Sequence, residues 1–108
     1  MEVYDEDKHN IRDAINSGKA VCVQFSAKWC GPCKRITPEM HKLAEENKSI
    51  QFYYVDVDEW EEIAGEGDGG FNVTHLPTFV FYKDGSEVAS RITGANLDNV
   101  KKVIQMMK

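Results

Sequence analysis

Apolar positions along the chain alternate between two spacings. Ile11, Ala14 and Ile15 recur at the interval of one helix face and Gly18 follows, which predicts a helix within residues 4–17. Ala20–Phe25 is a short apolar run rich in β-branched residues, the pattern of a strand buried on both faces. From Gly31 to Asn47, Cys33, Ile36, Met40, Leu43 and Ala44 mark one face of an amphipathic helix, and Pro38 inside it predicts a kink. Residues 50–57 read as a second buried strand. Asp58 is placed to cap a short helix through Ala64, with Glu59, Glu61 and Glu62 against its positive end. Gly65–Gly70 holds four glycines in six positions and reads as a loop that is costly to order. Asp84-Gly85 joins Thr78–Lys83 to Glu87–Ile92 as a hairpin. Leu97, Val100, Val103, Ile104 and Met107 mark a closing helix with Asn96 as its cap. Helices between strands, then a hairpin, predict an α/β domain with a mixed central sheet and helices on both faces.

Composition narrows the picture. With 108 residues the chain is expected to be one domain over 1–108, burying roughly 65% of its unfolded surface. Apolar residues at 42% and charged residues at 29% are those of an ordinary globular protein, not a disordered one. A net charge of −5 argues against nucleic-acid binding, which needs a basic face. No apolar run is long enough to span a bilayer, so no membrane partner is expected. Met1–Asp7 is acidic where a signal peptide is basic and then apolar, so the expected setting is the reducing cytoplasm. Three cysteines suit that setting better than a secreted disulfide framework does. A monomer is the expected state.

The chemistry concentrates in Trp29-Cys30-Gly31-Pro32-Cys33-Lys34, between the first buried strand and the kinked helix. Two intervening residues let the chain turn into a helix with both sulfurs within disulfide reach. Cys30 then lies at the helix N-terminus, where free N–H groups and the macrodipole favour a thiolate. Cys33, one turn on, is shielded and can attack a mixed disulfide formed by Cys30. Gly31 permits the tight turn, and Pro32 loses no hydrogen bond in the first helical turn. Half of a zinc site and an inert structural disulfide are the alternatives. The first lacks a second ligand pair, leaving only Cys22, His9, His41 and His75; the second fits the expected compartment poorly.

At these residues the chain resembles the thioredoxin family, and the resemblance runs over nearly its whole length. Val55-Asp56-Val57-Asp58, Leu76-Pro77-Thr78-Phe79 and Thr93-Gly94-Ala95-Asn96 match in the same order. The resemblance implies the thioredoxin fold and a protein disulfide reductase that maintains thiol redox balance. It implies Cys30 as nucleophile, Cys33 as resolving thiol, and a redox-active Cys30–Cys33 disulfide in place of any bound cofactor or metal. Pro77 is then a cis proline facing the pair. Trp29, Leu76, Pro77, Gly94 and Ala95 form the surface on which an extended substrate lies, and Asp58 holds the Trp29 indole over the site. Implied partners are disulfide-containing client proteins and an NADPH- and flavin-dependent thioredoxin reductase. A redox-switched binding module is the rival reading, against which the intact cysteine pair weighs.

Two positions depart from the family's pattern. Gln24 stands six residues before Cys30, where a buried aspartate is usual, and Tyr54 where some members carry a lysine. A glutamine can hydrogen-bond but cannot take a proton, so Asp56 and Asp58 become the nearest candidate acceptors for Cys33. Ser26 replaces an aromatic common in bacterial members, and the glycine-rich loop is somewhat long. His75 is expected on the site's rim as a solvated loop residue, and Cys22 as packing. Between Lys48 and Lys83 there are seven acidic residues and no Lys or Arg, a solvated face that could also select partners by charge.

Overall fold

The computed structural model describes residues 1–108. In chain order the elements are β1 (Glu2–Val3), α1 (Ile11–Asn16), β2 (Val21–Ser26), α2 (Gly31–Glu46) and β3 (Gln51–Asp56). After them come α3 (Glu61–Ala64), β4 (Thr78–Lys83), β5 (Ser86–Glu87), β6 (Ile92–Thr93) and α4 (Leu97–Met106). The sheet order is β1-β3-β2-β4-β5, with β6 pairing the other end of β4. β2 lies parallel to β3, with Val21 opposite Gln51, and antiparallel to β4, with Phe25 opposite Thr78. This is the mixed sheet that the order of helices and strands predicted.

Side chains that alternate along β2 supply two cores. Cys22 points into one with Ile36, Met40, Phe79, Phe81 and Ile104, beneath α2 and α4. Val23 and Phe25 point into the other with Ile11, Ile15, Val55 and Phe71, beneath α1 and α3. All six residues of β2 are buried, as the uninterrupted apolar run implied. Asp84 and Gly85 both take positive φ, 55° and 84°, the twist a two-residue hairpin needs.

Three elements differ from expectation. The first helix begins only at Ile11, because the Asn10 side chain accepts the Asp13 N–H there. Glu2–Val3 instead pairs with β3 as an edge strand. α3 begins at Glu61 rather than after Asp58. The Asp56 carboxylate accepts the backbone N–H of Asp58 and of Glu59, holding a turn where the helix was expected to start. The strand expected over Glu87–Ile92 is split into β5 and β6, each pairing a different end of β4. α2 runs through Pro38 as one helix.

The glycine-rich loop is tied to the body. Arg12 on α1 donates from Nε to the Gly69 carbonyl at 3.3 Å and from Nη2 to that of Gly70 at 3.1 Å. Its guanidinium also lies 3.8 Å over the Phe71 ring. A Cβ on Gly70 would run into the Gly65 carbonyl, whereas one on Gly67 meets nothing within 4 Å. Gly70→Ala should therefore lose about 1–3 kcal/mol in urea titrations, while Gly67→Ala stays within about 0.5 kcal/mol of wild type. Equal stabilities for the two variants would show that the close approach at Gly70 is relieved without cost.

Candidate active site

The strand that ends at Ser26 leads through a short turn into α2, and the turn presents the cysteine pair. Cys30 is the N-cap of α2, with extended backbone, and its Sγ accepts the Cys33 N–H at 3.2 Å. A sulfur here takes the place that a serine or aspartate oxygen fills at other helix starts. The two cysteines form a disulfide with their Cα atoms 5.3 Å apart. Both are buried, Cys30 at 5% exposed and Cys33 at 1%.

Trp29 is 70% exposed, an unusual placement for the largest side chain. Its indole N–H donates to the Asp58 carboxylate at 2.8 Å, as the resemblance implied. The Leu76–Pro77 peptide is cis, and Pro77 is buried. Its carbonyl accepts the Gly94 N–H at 2.8 Å, which brings the Thr93–Asn96 segment alongside. Trp29, Cys30, Pro32, Val73, His75 and Leu76 wall a depression of about 470 Å³. Gly94 and Ala95 line a neighbouring, separate depression with Asn96, so the expected substrate surface has two parts. His75 is exposed on the rim, its Nδ1 2.9 Å from the Thr74 hydroxyl.

Gln24 is fully buried and faces α2. Its Nε2 donates to Ser26 Oγ at 2.8 Å and to Thr37 Oγ1 at 2.9 Å, and Thr37 Oγ1 donates to the Cys33 carbonyl at 2.6 Å. Gln24 Oε1 is buried without a protein partner. A neutral chain thus reaches the backbone of Cys33. Desolvation, with help from Asp56, pushes the Tyr54 phenol up, while a hydrogen bond from Ser26 opposes that shift. The two carboxylates nearest in sequence are committed elsewhere, Asp56 to the turn before α3 and Asp58 to Trp29. Ser26 and Thr37 were not singled out for this role by their sequence positions. The available signals were the i, i+2 spacing of Gln24 and Ser26 on one strand face, and of Cys33 and Thr37 at i, i+4 on one helix face.

Comparison with known proteins agrees with this geometry. A family model described as Thioredoxin matches residues 2–106. The chain is 42% identical over 101 residues to thioredoxin of Ovis aries, covering 92% of this chain and 91% of that one. It is 45% identical over 92 residues to thioredoxin-2 of Saccharomyces cerevisiae, covering 84% of each. The solved structure of Fasciola hepatica thioredoxin superimposes with a TM-score of 0.83 at 38% identity, covering 100% of both chains.

Cys22 stands apart from the site, inside the core beneath α2 and α4. Burial alone pushes its thiol far up, so it stays protonated in the folded chain where the unfolded chain ionises. Its contribution is complete below the unfolded thiol value of about 8.5 and declines as pH rises above it. With the active-site pair oxidised, stability should therefore fall by up to about 1.4 kcal/mol per pH unit on that account. In Cys22→Ala this part of the alkaline decline should vanish while disulfide turnover stays at the wild-type rate. Urea titrations across the alkaline range and an insulin-reduction assay read the two effects, and lost turnover in the folded variant would place Cys22 in the chemistry.

Proposed function

The chain belongs to the thioredoxin family and is a thiol–disulfide oxidoreductase of the protein disulfide reductase type, and from that premise we propose how its residues divide the work. Cys30 attacks the client disulfide: a Cys30–client bond forms, the client's own S–S bond breaks, and one client thiolate leaves. Cys33 then attacks Cys30, the Cys30–Cys33 bond forms, and the second client thiolate leaves. The client gains two electrons and this chain loses two. The observation that carries the division is the hydrogen bond from the Cys33 N–H to the Cys30 sulfur, with Cys33 almost wholly covered. The helix N-terminus favours negative charge on Cys30, and cover keeps Cys33 for the intramolecular step.

Trp29, Leu76 and Pro77, with Gly94 and Ala95 beside them, form the client surface, and Asp58 fixes the indole that borders it. Clients are disulfide-containing proteins. The returning electrons come from an NADPH- and flavin-dependent thioredoxin reductase, in keeping with the family. The chain works in the cytoplasm, a reading supported by its free, buried Cys22 and its odd number of cysteines.

Insulin reduction with dithiothreitol as electron source tests the scheme. Cys30→Ser should abolish turnover, and Cys33→Ser should stop at a mixed disulfide that can be isolated with its client attached. Wild-type turnover in Cys33→Ser would rule out the two-thiol scheme. No turnover in the wild-type protein would favour a redox-switched binding module.

A further inference from the structure

The two cysteines border different depressions. Cys30 belongs to the one walled by Trp29, His75 and Leu76, whereas Cys33 belongs to a second, of about 400 Å³, walled by Lys28, Lys34, Thr37, His41 and Tyr54. No residue lines both. A client bonded to Cys30 therefore occupies one side of the pair and leaves the other open. Neither depression has a carboxylate among its lining residues, but only the second has lysines, Lys28 and Lys34. Lys28 contributes from the turn before α2, Lys34 and His41 from α2, and Tyr54 from β3.

We propose that Cys33 gives up its proton on the side away from the client, to water in this second depression beside Lys28 and Lys34, with Gln24 acting only as a positioning residue that holds Thr37 and, through it, the Cys33 carbonyl. The inference rests on the disulfide-reductase reading. Gln24 has no proton to exchange in the physiological range: its Nε2 donates to Ser26 and Thr37, and its unpartnered Oε1 can accept a hydrogen bond but cannot take up the Cys33 proton. Asp56 at the end of β3 and Asp58 in the turn after it line neither depression, and both already accept other hydrogen bonds. In the resolving step the Cys33 S–H bond breaks, and its proton passes to water in the depression and on to bulk solvent. The resulting thiolate attacks Cys30 Sγ and displaces the client thiolate, which is protonated from solvent. Lys28 and Lys34 favour that thiolate by charge, and the rigid Gln24–Thr37–Cys33 chain keeps its direction of attack.

Stopped-flow reaction of the reduced protein with dithiodipyridine, an uncharged disulfide, separates the steps. The first release of pyridinethione reports attack by Cys30 and the second reports resolution by Cys33. In the wild type the second rate should climb about tenfold per pH unit to a single inflection, the profile of one thiol ionising to solvent. Lys28→Gln with Lys34→Gln should slow the second phase about threefold at neutral pH and shift its inflection upward. High salt should shrink that difference, and the paired arginine variants should restore the rate. Thr37→Val should slow the second phase without moving its inflection, and Thr37→Ser should restore it. Gln24→Asp, where it folds, should add a second, lower inflection by placing a titrating group where the wild type has none. An additional inflection in the wild type that Asp56→Asn or Asp58→Asn removes would overturn the proposal in favour of a carboxylate. So would a second phase indifferent to both lysines. Loss of the first phase in the wild type would instead defeat the reductase reading itself.

Discussion

A strand with no wet face has to bond its polar groups inside the protein or leave them unpaired at a cost, and β2 is such a strand. All six of its residues are buried, with β3 on one side and β4 on the other. Its backbone is satisfied by the two ladders. Its side chains have to be apolar, or neutral and hydrogen-bonded, because a lone charge at that depth carries a large desolvation cost. Cys22 meets the condition by remaining a thiol, Ser26 by accepting from Gln24, and Gln24 by giving its Nε2 to Ser26 and Thr37, with its Oε1 the one buried polar side-chain atom left without a protein partner. The same strand aims the chain at Cys30. The constraint that builds the core therefore also decides what can lie behind the active pair.

Charge is distributed around the pair in a way that follows from the fold. From the end of β3 into α3 the chain carries Asp56, Asp58, Glu59, Glu61 and Glu62 within seven residues, and Asp58 among them holds the exposed Trp29. Lys28, Lys34 and His41 border the second depression. Of the acidic set only Asp58 bonds a residue beside the disulfide, whereas the basic residues line the depression that Cys33 borders.

Much of this could be read from the residues. The i, i+3, i+4 spacing of Cys33, Ile36, Met40 and Leu43 located α2, and the uninterrupted run before Ser26 located the buried strand, because each pattern reports burial directly. Asp84-Gly85 located the hairpin because few residue pairs tolerate its backbone angles. Local rules failed where a distant partner decided the outcome. Asp58 is a good helix cap by type, but the Trp29 indole claims its carboxylate. The edge strand Glu2–Val3 is too short to show a period and exists because β3 offers it a free edge. The glycine-rich loop carries no hint in its own residues that Arg12, 57 positions from Gly69, holds it. At the site, the cysteine pair and its neighbours were legible as a motif. The Gln24–Thr37–Cys33 chain was not, since it joins a strand to a helix across the core.

The hairpin turn at Asp84–Gly85 has a practical meaning. β2 and β3 run toward the disulfide, while β4 starts beside it at Pro77 and runs away, so six residues of strand, roughly 20 Å, separate the turn from the chemistry. Both residues are exposed, and the turn is anchored by the Asp84 N–H on the Gly18 carbonyl. A tether attached at that pole, to a bead, an electrode or a fused domain, would hold every molecule with its disulfide facing outward. The protein thus carries a natural handle for oriented immobilisation, at the end of β4 far from its disulfide.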